Sequence, residues 1–435
     1  MADVYPFHGY RYNGDKVKDL NNVVTQPYDK IDCIKQEKYY KASDYNIVRL
    51  ILSKAKPGED KYQVAAENLD NWIEDEILQR DNESSFYAYW QEYQVNGEKR
   101  IRKGFVGMGK LQGEDGVKAH ENTMDGPKAD RLNLMRAAEA NFGHIFMLYS
   151  DEKQSVIKLI DKSVEEKKPL VKVSDEDGNI HMLWKITEEN IIKEIQSEMK
   201  DKVLYIADGH HRYQTAVNYR NECLENGWES VGSEGFENRM MTFVNIDDPG
   251  MSILATHRLV YDLPDYSEED FLEKISQDFD LSKYKTAEEL NEKMESDKGK
   301  KHTIGFKSAG KDNYWALTLK NESIMKELLP DKSEIWRNLD VVILHKALLE
   351  RYLDIDETAL AEKKYTDYIR YSSEALEMLE SSDQKDYQAV FLLNPTPVKD
   401  VQKVANQGER MPQKSTDFYP KLLTGLVINK LGIKK

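Results

Sequence analysis

Cysteine is scarce in this 435-residue chain: Cys33 and Cys223 are far apart and make neither a metal-ligand spacing nor a C-x-x-C redox motif. No apolar run approaches the ~18–20 residues that cross a bilayer. The start, Met1-Ala2-Asp3-Val4, runs straight into polar sequence without a signal-like core. Few cysteines and no leader make the reducing cytoplasm the expected compartment. A basic surplus is missing too. Lys and Arg number 62 against 78 Asp and Glu, a formal charge of −16, whereas surfaces that coat nucleic acid are normally basic. Internal repeats and low-complexity tracts are also absent, and acidic runs such as EELNEKMESDKGKK read as solvated helix faces and turns.

What is present is adequate for folding. A hydrophobic fraction of 40% argues against global disorder, and the length implies two or three domains. The stretch of greatest chemical interest is 203–216, VLYIADGHHRYQTA. VLYIA favours a strand, Asp208 and Gly209 break it, and Arg212 to Glu225 carries helix formers. A strand, tight turn and helix place the Asp208 carboxylate at a strand tip. His210, His211 and Arg212 fall in the first helical turn. Free backbone N–H groups and the positive dipole end there favour an anion, and Gly209 permits close backbone approach. The imidazoles and the guanidinium turn a generic helix start into a phosphate cradle. A zinc site is disfavoured, because adjacent helical residues point ~100° apart and no cysteine lies nearby. The bland alternative is an ordinary turn whose histidines cap the helix.

Three regions are expected. In residues 1–112, NIVRLIL (46–52) reads as a buried strand and 61–78 as an amphipathic helix. SSFYAYWQEYQV and EKRIRKGFVGMGKL flank Asn96-Gly97 as a β-hairpin. Gly104 to Lys110 spells G-x-x-x-x-G-K, but Leu111 stands where a P-loop needs Ser or Thr, and the run lies in a strand. Residues 113–225 hold His120-Glu121 in a polar connection, then a helix (128–140), a strand (144–149), a helix (155–166), a hairpin around Asp177-Gly178 and a helix (187–200). This alternation indicates α/β structure with antiparallel hairpins. Residues 226–435 begin with strands in NRMMTFVNI and ILATHRLVYD and continue as an acidic helical region (267–296). Two strands (303–307, 315–319), a helix (339–352) with a packed His345, and a strand in AVFLLNP follow. In MPQKSTDFYPK, Lys414, Ser415 and Thr416 sit between two prolines, suited equally to an anion contact or to a packing loop.

IADGHHRYQTA, HENTMDGPKADRLNL and MPQKSTDFYPKLLTGL, with QPYD, NIVRL and THRLV in order, resemble the signatures of the bacterial domain-of-unknown-function family 1015 over nearly the whole chain. More distantly, Asp208 to Arg212 is similar to the nucleotide-phosphate motif of the ParB/sulfiredoxin superfamily, nearest to the free-serine kinases. The resemblance implies an α/β fold with mixed sheets, in which a ParB/sulfiredoxin-like unit is flanked by larger family-specific α/β regions. Sulfiredoxins carry a catalytic cysteine where His210 stands here, and partition proteins add DNA-binding arms that this acidic chain lacks. Free-serine kinases instead have an upstream His-Glu pair, which His120-Glu121 match. The implied activity is transfer of a phosphoryl group to L-serine from ATP, ADP or diphosphate, or the reverse, with phosphoserine hydrolysis a near neighbour. Glu121 is the implied general base, oriented by His120. Gly209, His210, His211 and Arg212 hold donor phosphates, and Asp208 holds magnesium or orients the acceptor. Arg258 and Lys414, with Ser415 and Thr416, are lesser candidates for a carboxylate or phosphate. Mg2+ is the expected cofactor, with no zinc or organic prosthetic group. The expected partners are small molecules, not nucleic acid or membrane, and a homodimer is compatible. The alternative from another class is a non-catalytic nucleotide-binding regulator.

Overall fold

The computed structural model describes residues 2–95, 97–113, 116–120, 125–381 and 385–435, without the side chains of 125–127. The chain forms two compact units. The first comprises Met1–Ala119, Thr123–Met251 and Pro420–Lys435; the second comprises His120–Asn122 and Ser252–Tyr419.

The first unit is built on a nine-stranded mixed sheet. Its strands are β1 (Val4–Tyr5), β2 (Phe86–Val95), β3 (Glu98–Lys110), β4 (Val117–Lys118), β5 (Ile145–Tyr149), β6 (Val171–Ser174), β7 (Ile180–Ile186), β8 (Leu204–Asp208) and β9 (Asn238–Asn245). The order is β4-β8-β5-β9-β3-β2-β7-β6, with β1 also on β3. Pairs β8–β4 and β9–β5 are parallel; the others are antiparallel. The expected hairpin is β2–β3, paired from Tyr87↔Val106 to Val95↔Glu98; Asn96 of its turn lies outside the described residues. The P-loop-like glycines belong to β3. A Cβ on Gly104 would lie 2.5 Å from the Phe243 carbonyl oxygen, and one on Gly109 2.5 Å from Met241 Sδ. These glycines let strands pack closely; they do not cradle phosphate.

The longer helices of this unit include α1 (Lys61–Glu74), α2 (Asp125–Ala138), α3 (Ser155–Val164), α4 (Glu189–Met199) and α5 (His210–Glu225). Helix α3 buries Val156, Ile157, Ile160 and Val164, and α4 buries Ile191, Ile192, Ile195 and Met199. Both are apolar stripes at helical spacing. They join one core with Phe105, Met147, Ile206 and Phe243.

The regions expected at 1–112 and 113–225 are therefore not separate bodies. Their strands share one sheet: β7 pairs with β2, and β9, from the region expected at 226–435, lies between β5 and β3. The C-terminal tail returns to this unit, pairing Asn429 with Asn141 and Lys434 with Glu229. NIVRLIL forms a short helix, Val48–Ile51, not a strand. Its Val48, Leu50 and Ile51 are all buried, and a short apolar run carries no periodicity to separate the two forms.

The second unit has a six-stranded antiparallel sheet: β10 (His257–Tyr261), β11 (Phe279–Tyr284), β12 (Thr303–Ser308), β13 (Tyr314–Leu319), β14 (Thr366–Ile369) and β15 (Tyr387–Leu392), in the order β11-β13-β12-β15-β10-β14. The region expected to be helical at 267–296 is two helices, Glu268–Ile275 and Ala287–Asp297, with β11 between them. The 340–353 segment is helical as expected, with a wider π winding over Leu344–Glu350. No helix among the described residues is long and apolar enough to cross a membrane.

Candidate phosphate-binding site

Strand β8 runs into the site through a β-bulge. Tyr205 pairs with Leu148 and Ile206 with Met147, but Asp208 pairs with Phe146, which leaves Ala207 as an extra residue. Bulges bend a strand end and re-aim the side chains that follow. Gly209 then adopts φ +94°, ψ 29° as the residue before α5. A Cβ there would lie 3.0 Å from the Arg212 guanidinium carbon. Glycine is required both by the left-handed backbone and by the guanidinium folded over it.

That guanidinium is held at both ends. Arg212 Nη2 donates to Asp208 Oδ2 at 2.6 Å, and Nη1 donates to the His144 carbonyl. The second Asp208 oxygen, Oδ1, lies 3.0 Å from Lys421 Nζ. Burial alone would raise the Asp208 pKa, but the charges of Lys421 and Arg212 outweigh it and hold the carboxyl well below the usual range. His210 is buried and His211 half-buried on the first turn of α5. His144, just before β5, is buried, with Nδ1 2.8 Å from Thr242 Oγ1. Burial, chiefly, pulls its pKa to about 3 and keeps the ring neutral.

The five residues from Asp208 to Arg212 span the end of β8, the left-handed Gly209 and the first turn of α5. Lys421, close behind the Lys414–Thr416 cluster that the sequence offers as an anion contact or a packing loop, joins them through Asp208. Asp208 does not fit a magnesium ligand in this arrangement, because each oxygen already serves a cation. Among the described residues no group of three or more His, Cys, Asp and Glu side chains is arranged to hold a metal.

A small pocket opens beside the turn, within the first unit. Arg212, Arg239, Arg131 and Thr215 supply its polar lining, and Tyr28, Leu134, Met135 and Phe142 much of its apolar wall. Arg131 lies 4.3 Å over the Tyr28 ring and donates to Asp130 and to the Ile51 carbonyl. Arg239 was legible as a lone charge in NRMMTFV, an otherwise buried strand.

The remaining candidates belong to the second unit. His120, in the polar connection after the hairpin, is buried. Its Nε2 lies 3.2 Å from Thr416 Oγ1, its carbonyl accepts from Met411 N, and its ring meets Phe418 edge-on. Glu121 lies outside the described residues. Arg258 is fully buried, 4.6 Å over the Tyr368 ring, and donates to His345 Nε2 and to the Thr256 and Lys414 carbonyls. Lys414 is exposed at φ +59°. Ser415 is buried and donates to the Pro412 carbonyl at 2.5 Å.

The family described as "Protein of unknown function (DUF1015)" matches residues 4–342, and the chain belongs to that family. No curated protein matches it. Among solved structures it is similar to a free serine kinase in complex with AMP, at 10% identity and a TM-score of 0.33, over 72% of this chain and 86% of that one. A conserved hypothetical protein from Pyrococcus furiosus is similar at 12% identity and a TM-score of 0.33, over 73% and 92%. SbnI with C-terminal truncation from Staphylococcus aureus is similar at 11% identity and a TM-score of 0.34, over 73% and 85%.

Proposed function

We propose that this protein is a cytoplasmic phosphotransferase with an alcohol acceptor: a free L-serine kinase that forms O-phosphoserine from ATP, ADP or diphosphate, or runs in reverse. One observation carries the reading. A bulged strand, a left-handed glycine and a helix N-terminus converge with His210, His211 and Arg212, and Asp208 fixes Arg212 beside Lys421. Helix-start amides and fixed cations suit phosphate oxygens.

On this reading the turn holds the donor phosphates, and Arg212 and Lys421 neutralise charge that develops on the transferring group. With ATP, serine Oγ forms the new O–P bond, the bond to the leaving ADP oxygen breaks, and Glu121 takes the hydroxyl proton. His120 positions Glu121. Arg258, Lys414, Ser415 and Thr416 are lesser candidates for binding the acceptor carboxylate or a phosphate. Magnesium accompanies the donor phosphates rather than residing on Asp208. No separate prosthetic group is involved.

Phosphorus NMR of the purified protein with L-serine, magnesium and each donor in turn tests the reading. A phosphoserine resonance with one donor is the expected result; none with any donor, and none consumed in reverse, contradicts it. The paired state of both Asp208 oxygens favours a second reading, a nucleotide-binding protein without catalysis. That reading predicts nucleotide-dependent stabilisation without phosphorylated product.

A further inference from the structure

Arg239 is 4% exposed, and its Nη2 donates to the Gly143 carbonyl at 3.1 Å. Among the described residues its Nε and Nη1 have no hydrogen-bond partner, although the side chain lines the pocket beside the Gly209 turn. The Thr215 hydroxyl, 1% exposed on α5, lines the same pocket and likewise has no partner among the described residues. Arg212 hangs from the next carbonyl along, that of His144, so two guanidiniums are fixed on consecutive peptide groups. Arg131 is answered by Asp130 and Arg212 by Asp208. Among the described residues no carboxylate answers Arg239.

A buried cation with unused donors beside a like charge is costly, and it persists where an anion completes it. Burial, and then the charge of Arg212, pulls the Arg239 pKa to about 9, so the group is still charged at neutral pH.

We propose that Arg239, with Arg212 and the Thr215 hydroxyl, forms a second oxyanion subsite in this pocket, for the carboxylate or phosphate of a ligand whose body packs against Tyr28, Leu134, Met135 and Phe142. The proposal rests on the reading of the Gly209 turn as a phosphate site and adds where the ligand's other anionic group is held. The walls match that ligand: aromatic and aliphatic faces around a few convergent donors are how small-molecule pockets combine affinity with orientation.

The test is calorimetric titration of inorganic phosphate, diphosphate, L-serine and O-phospho-L-serine into wild type, Arg239→Met and Thr215→Val, with a melting curve of each protein. Arg239→Met is expected to melt no lower than wild type, because it replaces an unanswered buried charge by an apolar chain of similar length. It is expected to weaken at least one probe tenfold or more, and Thr215→Val to weaken the same probe several-fold. A loss confined to L-serine assigns the subsite to a carboxylate, and a loss confined to phosphate and diphosphate assigns it to a phosphate. Unchanged affinities in both variants, or no binding of any probe to wild type, overturn the subsite. Absence of phosphoserine formation alongside a weakened probe sinks the kinase reading alone. Phosphoserine formation with unchanged affinities sinks the subsite alone.

Discussion

Lys421 places its ammonium 3.0 Å from Asp208 Oδ1, a pairing of residues 213 positions apart. The lysine is 8% exposed and the aspartate 23%. The C-terminal tail thereby closes the Gly209 turn: the carboxylate is shared between Lys421 and Arg212, and both cations are held in place by it. Such preorganisation is what charge stabilisation in phosphoryl transfer requires.

Lys421→Ala removes one charge-assisted hydrogen bond while Arg212 still neutralises Asp208. The expected loss of stability is about 1.5–3 kcal/mol, measured by urea unfolding. Asp208 itself has a depressed pKa in the fold, so its contribution is full above the unfolded carboxylate pKa of roughly 3.9 and is lost as pH falls below it. Asp208→Asn should flatten that acid limb.

Acid sensitivity begins earlier, from buried histidines. His144 is held neutral with a pKa of about 3 and His257 with one of about 4, in both cases chiefly by burial. The unfolded chain takes up these protons at roughly pH 6.5, so stability is full above that value and falls progressively from there to about pH 4 for His257 and about pH 3 for His144. Melting temperatures across this range should decline steadily, and replacing His144 by Asn should reduce the slope.

Gly209→Ala forces a Cβ onto a residue at φ +94° and within 3.0 Å of the Arg212 guanidinium. Strain at such positions costs about 1–3 kcal/mol. Diphosphate affinity should fall further than that of an Arg212→Lys control, because the alanine displaces Arg212 and blocks backbone approach at once; titration of both variants compares them.

Glu121→Gln is expected to lower turnover by about 10²–10⁴, the usual worth of a general base. Donor affinity should stay near wild type. Rate and binding measured on the same preparation separate the two effects, and an undiminished rate removes Glu121 from the base role.

Much of the architecture was legible because it is local. The hairpin around Asn96-Gly97, the stripes of α3 and α4, and the strand-glycine-helix passage at 204–225 each carry their own periodicity and turn chemistry. What was not legible is non-local. Nothing in 1–112 states that β3 pairs with β9, and nothing near Lys421 states that its partner is Asp208. NIVRLIL and the β11 segment failed for a simpler reason: a run buried throughout, or a short strand within an acidic stretch, shows neither period. Arg239 was visible as an anomaly in a buried strand, but only the fold reveals that it lines the same pocket as Arg212.

The central claim is that the Gly209 turn holds phosphate, and amide NMR shifts upon addition of diphosphate measure it most directly. Gly209, His210 and His211 should show the largest changes in wild type and much smaller ones in Arg212→Ala. If diphosphate moves amides elsewhere and leaves these three in place, the turn is not a phosphate site and the account built on it is wrong.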